Sequence, residues 1–276
     1  MRILDTHLHL VDLNRFSYPW LNDVPALKRD WTPADYFAEV VPLGIEAALH
    51  MEVDVAEPEM MAETEHVLKV HPRVVGAIAA CRPESASFPA FLDRLAVMQG
   101  VKGLRRILHT SPDELSQTPL FYENIRRLKD KGLSFDICVL ARQLPLAEKL
   151  AKAAPQVQFV LDHCGVPDVA SGVMDPWREN IRRVAELPNV VGKISGIGAY
   201  AKPGWTAETL RPWVEHMIEC FGWDRVVWGS DHPVIRLTAD LTQWVNATKA
   251  IVAGASAGEQ AKLFHQNAER VYRVTR

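Results

Sequence analysis

Cysteine is scarce in this 276-residue chain: Cys81, Cys138, Cys164 and Cys220 stand far apart, each in an apolar run. They predict reduced core residues of a cytoplasmic protein rather than the disulfide framework of a small secreted fold. Charge of one sign is also lacking. The 31 basic and 34 acidic residues give a formal net charge of −3, and the pairs Arg105–Arg106, Arg126–Arg127 and Arg182–Arg183 sit among acids. With no basic stripe, no nucleic-acid partner is expected. No apolar run reaches the roughly 18 residues of a membrane span, so no membrane partner is expected either. The opening MRILDTHLHL has no apolar h-region of a signal peptide. There is no Gly-x-Ser-x-Gly elbow, no Walker loop and no dinucleotide glycine fingerprint, which argues against serine-nucleophile, P-loop and Rossmann chemistry.

What the chain does have is alternation. Short runs rich in Val, Ile and Leu recur, and most are followed by a longer stretch with helical spacing. There are eight strand candidates: Ile3–His9, Glu46–Val53, Val74–Cys81, Val101–Leu108, Ser134–Leu140, Gln158–Cys164, Val190–Ile197 and Arg225–Asp231. Helical spacing covers Thr32–Leu43, Glu57–Val70, Phe88–Met98, Leu120–Lys131, Leu144–Ala153, Trp177–Glu186, Leu210–Phe221 and Ala257–Tyr272. Thr32-Pro33 and Asp175-Pro176 read as a cap followed by proline at the first helical position. Gly44, Gly100 and Gly132 lie where left-handed caps are wanted. Strand-then-helix repetition implies parallel strands. The length suits one α/β domain over residues 1–276, a (β/α)₈ TIM-like barrel, with an open doubly wound sheet as the other architecture. The segment from Val11 to Trp31 breaks the rhythm as a long loop after the first strand, on the catalytic face of such a barrel. It carries Phe16, Tyr18, Trp20 and Trp31, and a loop of this length is usually functional.

Three motifs end strand candidates. In Asp5-Thr6-His7-Leu8-His9 the two histidines are two apart, so on a strand they project to one face. Together they suit a divalent ion or a shared polar group of a substrate; alone, each could equally be hydrogen-bonded to a loop. Asp162-His163 closes the sixth candidate, where a charged pair ending an apolar strand is costly unless used. Asp231, in Gly229-Ser230-Asp231-His232-Pro233, closes the eighth, and is either a catalytic acid or the cap of the next helix. One of Arg105 and Arg106 must face the interior. Lys193 and Ser195 share a strand face, and Glu52 and Asp54 end the second strand. Such groups anchor substrate or form interior ion pairs. His50, His66, His71, His109, His216 and His265 have no partner motif and no expected catalytic duty.

These motifs, with Tyr18-Pro19-Trp20-Leu21, Gly103-Leu104-Arg105 and Lys193-Ile194-Ser195-Gly196, resemble the amidohydrolase superfamily along nearly the whole chain. The likeness is to its small "amidohydrolase 2" branch of sugar-acid lactonases (L-fuconolactonase- and L-rhamnonolactonase-like) and pyrone-dicarboxylate lactonases. The resemblance implies a distorted barrel hydrolysing a small-molecule lactone, such as an aldonolactone of carbohydrate metabolism. In it Asp231 would be the general base on water, and His7, His9 and His163 would bind a metal or the substrate. Arg105 would anchor substrate, with Tyr18, Trp20, Lys193 and Ser195 as further substrate-binding candidates. His232 stands where the family more often has Trp, and so bears on the pocket's shape. Binuclear members bring a carboxylated lysine from strand 4 and histidines from strands 5 and 6. Phe135–Leu140 offers no histidine, so a binuclear centre is not expected. The reading leans to no required metal, with a single zinc on His7, His9, His163 and Asp231 as the alternative. Other readings are a metal-dependent decarboxylase or hydratase acting on an unsaturated acid, and a binding protein without catalysis. Assembly into a homo-oligomer is left open. The sequence thus predicts that His7, His9, His163 and Asp231 converge on one cavity at the C-terminal face of the barrel.

Overall fold

The computed structural model describes residues 1–275, and every candidate strand forms: β1 (Ile3–Leu8), β2 (Ile45–Met51), β3 (Val74–Ala80), β4 (Val101–Ile107), β5 (Ser134–Cys138), β6 (Phe159–Leu161), β7 (Val190–Ser195) and β8 (Val226–Gly229). They pair in parallel in the order β1 to β8, which excludes the open doubly wound alternative with its reversal of strand order. Closure comes just past the strand ends. Leu8 bridges His232, the Asp231 amide donates to the His7 carbonyl at 2.9 Å, and the His9 amide donates to the His232 carbonyl at 2.8 Å.

Helices packed outside the sheet bury its outer face, and their ends follow local chemistry. Thr32 accepts from the Asp35 amide, with Pro33 in the first turn, as expected. Gly44, Gly100 and Gly132 all have positive φ, again as expected. Asp175-Pro176 does not repeat the device: Pro176 itself precedes the helix Trp177–Ala185, and no side chain caps it. The sequence reading also missed the helix Leu241–Ile251, capped by Asp240. Its Trp244 indole donates to the Gly229 carbonyl at 3.0 Å and so braces the end of β8. The stretch Ala257–Tyr272 is helical but interrupted by a π turn over Lys262–Gln266. Beyond it, Tyr272 and Val274 pack among the inward side chains Leu4, Leu49, Ile78, Val160, Val191 and Val227. Among the described residues no helix is long and apolar enough to cross a membrane.

The long loop is tied at its stem, where Val11 and Trp31 exchange backbone hydrogen bonds of 3.2 and 2.9 Å. Its Phe16, Tyr18, Leu21 and Leu27 form a small core of their own with Val53 and Val55, just past β2.

Asp5 holds the β1–β8 seam. Fully buried, it accepts the His7 amide at 2.9 Å, the Ser230 amide at 2.7 Å and the hydroxyl of Tyr36. Removing it strands three buried donors, each worth about 1–3 kcal/mol. Asp5→Ala is therefore expected to cost about 3 kcal/mol or more in urea unfolding, and Tyr36→Phe about 1 kcal/mol. A loss below about 1 kcal/mol for Asp5→Ala would show that the seam does not depend on it.

Candidate active site

The β1 backbone brings His7 and His9 to one face, with ring centroids 4.9 Å apart. The other two members arrive differently from the expectation. β6 ends at Leu161, and the chain then turns through Asp162–Gly165 with His163 at φ 52°. β8 ends at Gly229, and Asp231 has φ 57°. Both residues therefore sit in left-handed turns just past their strands, a conformation that costs energy in a non-glycine residue and clusters at functional sites. These turns carry the side chains over the barrel mouth, where a strand's alternation would have fixed them differently.

The four residues do meet. Asp231 Oδ1 lies 3.5 Å from His9 Nε2 and 3.7 Å from His7 Nε2, and Asp231 Oδ2 lies 3.7 Å from His163 Nδ1. All four are buried. The His9 Nδ1–H donates to the Met51 carbonyl at 3.0 Å, which leaves its Nε2 lone pair towards Asp231. Ser195 Oγ accepts the His163 amide at 3.3 Å and lies 3.0 Å from His163 Nδ1. Room for the carboxylate is provided by Gly196, whose φ is +63° and whose Cβ, if present, would lie 2.1 Å from Asp231 Oδ2.

Beneath this group lies a buried set of charges. Lys193 Nζ donates to Asp136 Oδ2 at 2.5 Å, lies 2.8 Å from Asp162 Oδ1 and sits 3.4 Å from His7 Nδ1. Tyr272 Oη donates to Asp136 at 2.7 Å. Arg105 Nε donates to Glu52 Oε1 at 2.7 Å and its Nη2 to the Glu52 carbonyl at 2.8 Å, while Nη1 is 3.3 Å from His7 Nε2. The sequence drew no attention to Asp136 or Tyr272. A lone acid inside the apolar run Phe135-Asp136-Ile137 was the available signal.

Burial sets the protonation states. It pushes the Asp231 carboxyl up to about 6, against the pull of His163 and Arg105. Burial also lowers His7 and His163, and with Arg105 it takes His9 down to about 3, so the imidazoles are neutral at neutral pH. Asp162 goes the other way: burial opposes its ionisation, yet Lys193 and His7 hold it well below the usual carboxylate range.

Above the group opens a cavity of about 610 Å³ lined by His9, Arg105, His163 and Asp231, with Trp20, Val53, Asp54, Cys138, Tyr200 and others around them. Trp20 is at its wall as expected, held by an indole N–H donated to the Val53 carbonyl at 2.8 Å. Arg105 lines it as well, but Tyr18, Lys193, Ser195 and His232 are elsewhere. Tyr18 lines a separate cavity of about 290 Å³. Lys193 is fully buried under the site, and Ser195 lies behind His163. His232 is buried against Trp31 and Tyr36, its Nδ1 accepting from Arg236 at 3.2 Å. His109, given no duty, does line the cavity, 3.1 Å from Cys138 Sγ.

The donor set fits a divalent ion. Asp231 Oδ2 is buried without a hydrogen-bond partner, and ligand atoms of His7, His9 and Asp231 lie within 4.8 Å of one another, as do those of His7, Asp162 and His163. Neutral imidazoles and an ionised carboxylate are what such an ion needs.

An amidohydrolase family model (Amidohydro_2) matches residues 4–274. A Sinorhizobium fredii protein designated y4mH is 30% identical over 99% of this chain and 98% of its own. The L-fucono-1,5-lactonase of Burkholderia ambifaria is 28% identical over 99% of this chain and 96% of its own. Among solved structures, an amidohydrolase from Burkholderia multivorans with bound zinc superposes with a TM-score of 0.91, covering 100% of both chains at 22% identity.

Two outcomes follow from the packing around Asp231. A raised carboxyl pKa means that the fold favours the protonated form. This contribution is complete below the ordinary carboxylate range and is lost as pH rises through about 6. In chelator, Asp231→Asn should therefore be more stable than the wild type above pH 6, on the order of 2 kcal/mol, with the gain fading towards pH 4. Equal melting temperatures at pH 8 would contradict this. Gly196→Ala is expected to remain folded by circular dichroism but to lose activity by about 10-fold or more, because it displaces the carboxylate.

Proposed function

The chain belongs to the amidohydrolase family, and from that premise we propose that this hydrolase opens the ring of a sugar-acid lactone, an aldonolactone, by attack of water with Asp231 as general base. The observation that carries the reading is the Asp231 carboxylate. It lies at the floor of the cavity among His7, His9 and His163, with one oxygen free of any hydrogen bond. An acid whose pKa is about 6 is mostly ionised at neutral pH, yet basic enough to take a proton. The 28% identity to a fuconolactonase over 99% of the chain supports the substrate class.

In the reaction, a water held at Asp231 loses a proton to the carboxylate as its oxygen bonds to the lactone carbonyl. If Ser195 donates its hydroxyl proton to His163 Nδ1, the His163 Nε2–H is left to donate to the developing oxyanion. The Arg105 guanidinium adds positive potential at the same wall. When the ring C–O bond breaks, Asp231 returns its proton to the leaving ring oxygen, and the new carboxylic acid ionises. Trp20 offers an apolar face for the sugar ring at the cavity wall. His7, His9 and Asp231, with His163 beside them, would hold a divalent ion such as the zinc of the Burkholderia multivorans structure. Such an ion would polarise the carbonyl and acidify water.

The test is a pH-indicator screen of aldonolactones on wild type and Asp231→Asn. Wild-type kcat/KM should rise with pH up to about 6 and then level as Asp231 ionises. Asp231→Asn should lose about 10²-fold or more. Activity that survives exhaustive chelation would assign the carbonyl to His163 and Arg105; activity lost and restored by zinc would assign it to the ion. Near-normal turnover by Asp231→Asn would overturn the mechanism.

A further inference from the structure

The catalytic group is seated at the floor of the cavity, but the charges on its walls are a separate matter. Among the described residues, Arg105 is the one Lys or Arg side chain in the lining. Its charge is already matched by two buried carboxylates, Glu52 at 2.7 Å and Asp162 at 3.6 Å. Its Nε and Nη2 are bound to Glu52, and its Nη1 lies 3.3 Å from His7 and 3.6 Å from Asp162. Two carboxylates besides Asp231 line the same cavity: Asp23, on the long loop three residues past Trp20, and Asp54, just past β2.

Asp54 is held there at a cost. It is a non-glycine residue at φ 47°, a position where Gly or Asn would be cheaper. Its amide donates to Glu52 Oε2 at 2.7 Å, and Glu52 Oε1 is the anchor of Arg105. One rigid chain of contacts thus runs from His7 through Arg105 and Glu52 to the wall of the pocket. Arg82 lies 3.6 Å from Asp54 but is shared with Glu57 at 3.4 Å and does not line this cavity. In the same lining, Trp20 is fixed by its bond to Val53, the residue before Asp54. In a lining that carries an aromatic face and carboxylates, the carboxylates accept the hydroxyl groups of a polyol and repel a second anion.

We propose that Asp54, assisted by Asp23, is a specificity-determining residue: it accepts hydroxyl groups of an uncharged lactone and turns away lactones that carry a carboxylate or sulfonate. The same charge would hasten departure of the product, since hydrolysis turns a neutral ring into an anion. This inference rests on the lactonase reading and adds a charge selection that the reading alone does not require.

The experiment compares D-galactonolactone, which is neutral, with muconolactone, which carries a free carboxylate, on the wild type and on Asp54→Asn. The Asn variant tolerates the left-handed backbone and removes only the charge. The wild type should prefer the neutral lactone by about 100-fold or more in kcat/KM. In Asp54→Asn, KM for galactonolactone should rise about 10-fold with kcat little changed. The preference should shrink, and inhibition by the galactonate product should strengthen. Comparable wild-type kcat/KM on the two lactones, or an unchanged preference in Asp54→Asn, would overturn the inference while leaving lactone hydrolysis standing. If the wild type opens neither ring, the lactonase reading fails, and calorimetry with the same two ligands decides the charge selection. Binding of galactonolactone but not muconolactone upholds it; any other binding result overturns it.

Discussion

Directly under the site, one ammonium and two carboxylates share a space closed off from the surface. Lys193, Asp136 and Asp162 are all fully buried, joined at 2.5 and 2.8 Å. Charges in such a place persist only when paired, and removing one partner of a buried pair is costly. Each is supplied by a different part of the barrel: Asp136 by β5, Asp162 by the turn after β6, and Lys193 by β7. The set can therefore exist only when those strands are in register. It is also what His7 rests on, through Asp162 at 3.5 Å and Lys193 at 3.4 Å. The pairing that fixes the middle of the barrel thus also fixes the ring that meets Asp231.

The free oxygen of Asp231 gains meaning against this background. Most buried polar atoms in a protein have partners, and an orphan is an energetic liability. Here the orphan lies at the cavity floor among neutral imidazoles, where the proposed base would hold its water. Below it, Asp136 Oδ1 and both Asp162 oxygens also lack a hydrogen bond, but each of those carboxylates is ion-paired with Lys193.

Much of this was legible in the sequence, for physical reasons. A barrel strand buried on both faces must be a short apolar run, so all eight strands could be read. The spacing of His7 and His9 matched the period of a strand, so their shared face could be read as well. Period says nothing where a strand has already ended. His163 and Asp231 were therefore assigned to strands, although each sits in a left-handed turn. Lys193 showed the limit of reading a face. It does point inward, but depth along the strand decides whether an inward lysine meets substrate or an aspartate, and its partner Asp136 lies 57 residues away in sequence. Tyr18 and Trp20 are two apart on a loop of 3₁₀ turns, so neighbouring aromatics went to different cavities. The helix Leu241–Ile251 was overlooked because its signal is an Asp240 cap, not a proline or a long apolar stripe.

The account stands on Asp231 as a base that activates water rather than as a nucleophile that bonds to the substrate. A single turnover in oxygen-18 water, with enzyme in excess over an aldonolactone, separates the two. If Asp231 acts as the base, the first product carries one heavy oxygen in its new carboxylate, and the peptide containing Asp231 carries none. An unlabelled first product together with heavy oxygen in the Asp231 carboxyl would contradict it.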